Sequence, residues 1–331
     1  MSFKKLLQMR ESVLILLIIV ATVVMGIVNS SFLSEGNIKA IFLGLSVEAL
    51  VACGMAVLLV SGGLDLSIGS TTALAGVVAC MALNAGIGVF PSIVIGLLIG
   101  ALVGLVNGFI ITKWEISPFI VTLGMMSIVR GFVLILAQGV SIIDLPAAFT
   151  EIGQGSILGI QYPIIITVVA VIAFDILLRK SKFFRQNYYI GGNEKAAILT
   201  GMRVNLVKMT NYIILGALAA LAGVTMAARF GNASVNIGVG LEMKVITACV
   251  IGGASLSGGE GTVVGAFLGS LLMAMITSAL NILSVDVYWQ NVFTGAILIF
   301  AVVLDTVLKR RRENAVNVEA AAKRNEKAVV L

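Results

Sequence analysis

A carboxylate, three serines and three glycines stand together between two long apolar runs, as Ser61-Gly62-Gly63-Leu64-Asp65-Leu66-Ser67-Ile68-Gly69-Ser70. Asp65 can do four kinds of chemistry there. It can hydrogen-bond the hydroxyls of a solute, cap the following helix together with Ser67, carry a proton, or serve as half of an aspartyl hydrolase. The last needs a second, opposed aspartate, and the other candidates, Asp175 and Asp305, lie near the ends of their apolar runs. The pattern returns as Gly252-Gly253-Ala254-Ser255-Leu256-Ser257-Gly258-Gly259, and both copies read G-G-x-x-L-S-x-G. Either copy alone reads equally as a turn between neighbouring helices, built from the usual turn residues. Glu48, Asn107, Arg130, Asn281, Gln290 and Asn291 also fall in apolar runs. Asn107, Asn281, Gln290 and Asn291 can bond a hydroxylated solute or a neighbouring helix, the second at about 1 kcal/mol each, and Glu48 can line a path or pack on polar groups of the bundle.

The surroundings make these groups costly. The chain has 331 residues, 59% hydrophobic and 11% charged, with a mean hydropathy of +1.11. Soluble domains carry about 25% charged residues, so this is an integral membrane protein. Charge is expensive in hydrocarbon, and a helix is the cheapest way to satisfy backbone groups without water. Gly-interrupted apolar segments in corresponding positions of two halves point to a solute path through a bilayer. The chain has no histidine, which excludes Ser-His and Cys-His catalysis, His metal sites and His proton relays. It has no G-x-x-x-x-G-K-[ST] and hence no P-loop of its own. Cys53, Cys80 and Cys249 all lie in apolar runs and read as small hydrophobes without a disulfide framework. The net charge of +6 sits in a few polar segments, so it carries topology and no nucleic-acid signal.

About 20 apolar residues cross a bilayer as a helix. Spans are expected near 13–32, 40–60, 67–86, 91–112, 118–138, 162–180, 210–229, 244–257, 261–283 and 288–308. The eighth is short, and eight spans with re-entrant pieces is the alternative to ten. The expectation is an all-α polytopic membrane protein with about ten helices. It divides into an N-terminus 1–12, a transmembrane domain 13–308 with a polar loop 181–209, and a charged tail 309–331 that reads as a frayed helix or disorder. Lys4, Lys5 and Arg10 precede the first span. Arg179, Lys180, Lys182, Arg185, Lys195, Arg203 and Lys208 follow the sixth, and Lys309 to Arg312 follow the last. Positive-inside charge makes all three cytoplasmic, and ten spans satisfy every sign.

The loop contains Gly191-Gly192-Asn193-Glu194-Lys195-Ala196-Ala197-Ile198-Leu199-Thr200-Gly201. Asn193 is an N-cap candidate, Glu194 suits the first turn, and Gly201 suits C′. The product is a helix of about two turns bracketed by glycines, too short to be stable undocked. An ordinary loop is the alternative.

Taken in order, the motifs resemble the membrane-spanning permease subunits of bacterial sugar ABC importers, the group that includes the ribose permeases. They are Gly62-Gly63-Leu64-Asp65-Leu66-Ser67-Ile68-Gly69, Gly104-Leu105-Val106-Asn107-Gly108, and Pro118-Phe119-Ile120-Val121-Thr122-Leu123-Gly124 with Arg130-Gly131. Then come Gly191-Gly192-Asn193-Glu194 with Ala197, Leu199 and Gly201, and Gly252-Gly253 through Leu256-Ser257-Gly258-Gly259 with Gly261 and Gly265. The resemblance implies a non-catalytic translocation subunit in the bacterial inner membrane, both termini cytoplasmic, working as a homodimer or beside a related subunit. It implies a separate ATP-binding subunit, which holds the ATP and Mg and grips Gly191, Gly192, Asn193, Glu194, Ala197, Leu199 and Gly201. It implies a periplasmic or lipoprotein sugar-binding protein outside, and a ribose-like pentose as cargo. This chain itself needs only membrane lipids around it, and no bound cofactor or metal.

Candidates for the path or its helix breaks are Glu48, Gly62, Gly63, Asp65, Ser67, Gly69, Asn107, Thr122, Ser255, Ser257 and Gly258. Few aromatics and no His suggest weak solute contacts, with specificity residing in the binding protein. Trp114 and Trp289 lie at span ends and read as interface anchors more than sugar platforms. Leu256-Ser257-Gly258-Gly259-Glu260 resembles the signature of ABC ATPases, but with no P-loop and apolar flanks it reads as chance. The rival functions are a proton- or sodium-coupled secondary transporter using Glu48 and Asp65, and a membrane scaffold that moves nothing.

Overall fold

The structure is a computed structural model that describes residues 10–303 and 305–307. Lys4, Lys5 and the tail 309–331 lie outside the described residues. Helix α1 (Arg10–Val28) leads through a 3-10 turn, Ser30–Leu33, into α2 (Glu35–Val60), which is N-capped by the Ser34 hydroxyl. Next come α3 (Ile68–Asn84), α4 (Val89–Trp114) and α5 (Pro118–Ala137). A short α6 (Ala147–Gln154) and a two-stranded hairpin, β1 (Ser156–Ile157) with β2 (Ile160–Gln161), precede α7 (Tyr162–Lys180). The polar segment forms α8 (Lys182–Gly192) and α9 (Glu194–Leu199). The chain then runs through α10 (Val204–Phe230), α11 (Leu241–Ile251), α12 (Val263–Ile282) and α13 (Val287–Val307).

Eight helices among the described residues are long and apolar enough to cross a membrane. The structure supports the alternative count of eight, with the expected spans 67–86 and 244–257 as the shorter pieces. Their helices have 17 and 11 residues. At 1.5 Å per residue they are about 26 and 17 Å long, short of a hydrocarbon core of about 30 Å. Ser61 to Ser67 stays non-helical, and residues 231–240 form irregular backbone with Gly231, Gly238 and Gly240 at positive φ. The second passage is therefore half helix and half loop. Hydropathy reports residence in lipid and does not report where the backbone leaves the helical region.

Helix α2 is the axis of the bundle. Residues 49–60 are buried on every side, as expected of a helix that is apolar all round. Of its spanning window 83% is buried, against 6% for α1 and 6% for α13, which lie at the periphery. Helix α10 packs along α4 through a ladder of glycines, Gly96, Gly100, Gly104 and Gly108, spaced four apart on one face. A Cβ at Gly100 would strike the Gly216 carbonyl, and one at Gly104 the Tyr212 carbonyl. Small residues at this spacing bring backbones into contact where lipid supplies no hydrophobic drive.

Two faces can be assigned by contact. Asn84 donates to the Ile143 carbonyl at 2.9 Å, Gln154 to the Arg229 carbonyl at 3.0 Å, and Ile142 pairs with Ala233. Those residues share the hairpin face. The ends of α2, α8 and α10 near Val60, Gly191 and Val207 share the opposite face, which carries the basic segment.

Gly104→Ala should lower stability by about 2 kcal/mol, because the methyl group meets backbone that cannot turn aside. Gly124→Ala, which meets nothing within 4 Å, should leave the melting temperature in detergent unchanged. Equal behaviour of the two variants would count against the ladder.

Candidate functional site

On the basic face, Asn193 Oδ1 accepts from the Ala196 amide at 3.0 Å and starts α9. Gly201, at φ 80°, closes it, with its amide on the Ile198 carbonyl at 2.9 Å. Ala197 is buried with Ile190, Val204 and Val207. Glu194 pairs with Lys208 at 2.7 Å. Leu199 is 88% exposed and Ile198 57%. One face of α9 is thus seated on the protein and the other presents two large apolar side chains outward. Gly191 and Gly192 do not form the loop expected of them; they are the last residues of α8.

The end of α8 meets the end of α2 and the second G-G-x-x-L-S-x-G motif, which in turn touches Gly62 of the first. The Gly259 amide donates to the Val60 carbonyl at 2.9 Å. A Cβ on Gly191 would collide with that carbonyl and with the Gly259 amide, and one on Gly258 would collide with Gly191 and Gly62. Gly62 and Gly258 take φ of 79° and 84°, where a side chain is strained. Around this glycine contact, Asn211 Nδ2 donates to Asn187 Oδ1 at 2.8 Å and to Ser61 Oγ at 3.2 Å. The Tyr188 hydroxyl donates to the Gly261 carbonyl at 2.8 Å. Burial raises the Tyr188 pKa above its ordinary value, which keeps the phenol a donor.

Asp65 is buried. Its Oδ1 accepts from the Ser67 amide at 2.7 Å and from the Ser67 hydroxyl at 2.6 Å. Its Oδ2 accepts from Asn107 Nδ2 at 3.1 Å, and that amide also reaches Ser67 Oγ at 3.0 Å. Asp65, Ser67 and Asn107 therefore form one cluster that holds the turn before α3 and ties it to α4, with Asn107 Oδ1 left buried and without a partner among the described residues. Gly63 packs on Leu58 and the Tyr212 hydroxyl, which donates to the Leu64 carbonyl at 3.1 Å. Thr122 is buried and donates to the Pro118 carbonyl on its own helix at 2.8 Å. Ser255 Oγ lies 2.9 Å from Ser257 Oγ and donates to Asp305 at 3.2 Å. The second motif is a folded turn bonded to α13.

A further group of charges lies deeper. Glu48, halfway along α2, faces Lys244 of α11 at 3.7 Å. Arg130 of α5 donates to the Val235 and Ile237 carbonyls at 2.8 and 3.1 Å, satisfying the irregular backbone before α11. Gly69 packs against Gly238 and the Glu242 carboxylate. Arg229 donates to the Leu43 carbonyl at 3.1 Å. Of these only Glu48 and Gly69 are sequence candidates for the path, and Arg130 is noted there without a role. Glu242, Lys244 and Arg229 sit at the edges of expected spans, where charges look like boundary markers. The signal that finds them is that span 244–257 is too short to hold its charges outside the membrane.

The family model described as branched-chain amino acid transport system / permease component matches residues 37–302. The chain belongs to this family. The permease is 37% identical over 300 residues to the L-arabinose ABC transporter permease of Azospirillum brasilense, covering 91% of this chain and 88% of that one. It is 37% identical over 288 residues to the ribose import permease of Bacillus subtilis, covering 86% and 89%. It is 33% identical over 321 residues to an autoinducer 2 import permease of Yersinia pestis, covering 97% and 92%. It is a multi-pass membrane protein of all-α architecture.

Gly191→Ala should destabilise the permease by about 2 kcal/mol, because the new methyl meets backbone on two sides. Gly192→Ala has open space around it and should be neutral. Thermal unfolding of the two purified variants checks this. Asp65→Ala should cost about 2 kcal/mol by taking the acceptor from three buried donor groups, the Ser67 amide and hydroxyl and Asn107 Nδ2, and the same measurement reads it.

Proposed function

We propose that this permease carries a monosaccharide, with a ribose-like pentose favoured, inward across the bacterial inner membrane as the translocation subunit of an ABC importer. The observation that carries the reading is the match, over most of the chain, to permeases named for arabinose, ribose and autoinducer 2 import. The membrane chain performs no covalent step. A separate ATP-binding subunit holds ATP and Mg and docks on α9, whose outward Ile198 and Leu199 suit an apolar groove. A sugar-binding protein delivers cargo at the hairpin face, and a second permease copy or a related subunit completes the path. The basic segment and both termini lie in the cytoplasm, as its excess of Lys and Arg implies.

The mechanism follows from the contacts. ATP-driven movement of the partner displaces α9 and the end of α8. Gly191 rests on the Val60 carbonyl at the end of α2 and on the Gly258–Gly259 backbone of the second motif, which itself touches Gly62, so the displacement reaches these turns through main chain. Those turns interrupt the helical passage, and tilting them opens one side of the membrane while closing the other. Glu48 and Lys244 give one specific reason to keep an ion-coupled transporter as the second reading, since paired charges within a bundle also serve proton or sodium coupling. That reading assigns no task to the exposed face of α9.

Leu199→Asp and Glu194→Ala should release the ATP-binding subunit on purification and abolish uptake. The melting temperature of the permease should move little, because exposed substitutions cost within about 0.5 kcal/mol. Normal co-purification and transport in both variants would sink the docking assignment. Uptake that collapses with an uncoupler while ATP is held constant would move the ion-coupled reading to the front.

A further inference from the structure

Between the upper half of α2, the end of α10 and the loop before α11 lies a cavity of about 240 Å³. Its wall carries Glu48, Arg229, Lys244 and Phe230, with Gly44 and Val239 beside them. Glu48 Oε1 faces Lys244, while Oε2 is buried with no hydrogen-bond partner among the described residues. A buried acceptor left unpaired is costly, and more so when it belongs to a charged group. Lys244 has three donors, and its contact with Glu48, at 3.7 Å, is longer than a hydrogen bond. Arg229 has five donors, and the Leu43 carbonyl takes one of its nitrogens. Phe230 is 53% exposed and Val239 68%, so both stand at the open rim. The Arg229 guanidinium lies over the Phe230 ring, 5.2 Å from its centre.

This wall offers an unpaired anionic acceptor, two cationic donors and an aromatic face. Adjacent hydroxyls, each both donor and acceptor, match that set. One donates to Glu48 Oε2, and its neighbours accept from Lys244 and Arg229, whose guanidinium is held over the Phe230 ring. The opposite charges of Glu48 and Lys244 offset each other, and an uncharged ligand adds nothing to the charge that Arg229 brings. Arg229 is at the hairpin-face end of α10, and its carbonyl is bonded to Gln154 there. We propose that this cavity is a polyol-binding subsite on the outer half of the path, where vicinal hydroxyls of the sugar bridge Glu48, Lys244 and Arg229. The inference rests on the sugar-importer reading and adds a specificity-determining site inside the permease to it.

The test uses the complete transporter in proteoliposomes, with its ATP-binding subunit and binding protein, and labelled D-ribose, 2-deoxy-D-ribose and L-leucine as probes. Glu48→Gln should slow ribose uptake by about tenfold, the factor that loss of one hydrogen bond to a charged group gives. It should also change the ratio of ribose to 2-deoxyribose uptake, whereas a purely structural lesion scales both sugars alike. The charge swap Glu48→Lys with Lys244→Glu restores an ion pair and should still fail to transport. Wild-type ribose uptake with an unchanged sugar ratio in Glu48→Gln overturns the subsite alone, as does recovery of wild-type uptake in the swap. Wild-type uptake of L-leucine and of neither sugar overturns both the polyol site and the sugar-importer reading.

Discussion

Inside lipid, a backbone carbonyl or amide that leaves a helix must find another partner within the protein. This chain leaves the helix after Val60 and again after Ile251, and each break supplies part of what the other needs. The Val60 carbonyl, released at the end of α2, takes the Gly259 amide of the second turn. The approach is possible because Gly62, Gly191, Gly258 and Gly259 have no side chains to hold the strands apart. Asn187, Asn211 and Tyr188 complete the arrangement by bonding amides, a hydroxyl and a carbonyl around it. The remaining helices can be understood as the frame that keeps these two breaks together.

The same accounting governs the charges. Arg130 satisfies carbonyls in the irregular segment before α11, and Asp65 satisfies the donors of the turn before α3. Glu48 is different, because half of its carboxylate is left unmatched beside a cavity. The α4–α10 glycine ladder gives this region a fixed wall, since two backbones in direct contact have little room to slide past each other.

The long spans were legible in the sequence because sustained apolar runs have few alternatives at this length. The cap of α9 was legible too, since Asn193 and Gly201 are local signals and both act within one turn. The shortness of α11 showed in its short apolar run, but that of α3 did not, because the turn before it is held partly by Asn107 on a distant helix. The two G-G-x-x-L-S-x-G motifs could be seen to be alike, but nothing in either showed that they touch. Glu242 and Lys244 escaped notice because a charge at the edge of an apolar run looks solvated until the helix beneath it proves too short. Asp65, Asn107 and Thr122 were read as path candidates from their positions alone. In this structure each is occupied with hydrogen bonds inside the bundle.

A joint made only of main chain has a mechanical property that an ordinary packed interface lacks. Side chains act as springs: a push of an ångström can be absorbed by a change of rotamer and lost as local heat. At the meeting of Gly191 with Val60 and Gly259 there is no rotamer to change, so the linkage has almost no backlash. A displacement at the end of α8 would therefore meet the end of α2 and the second turn through main chain alone, with no side chain between them to take it up.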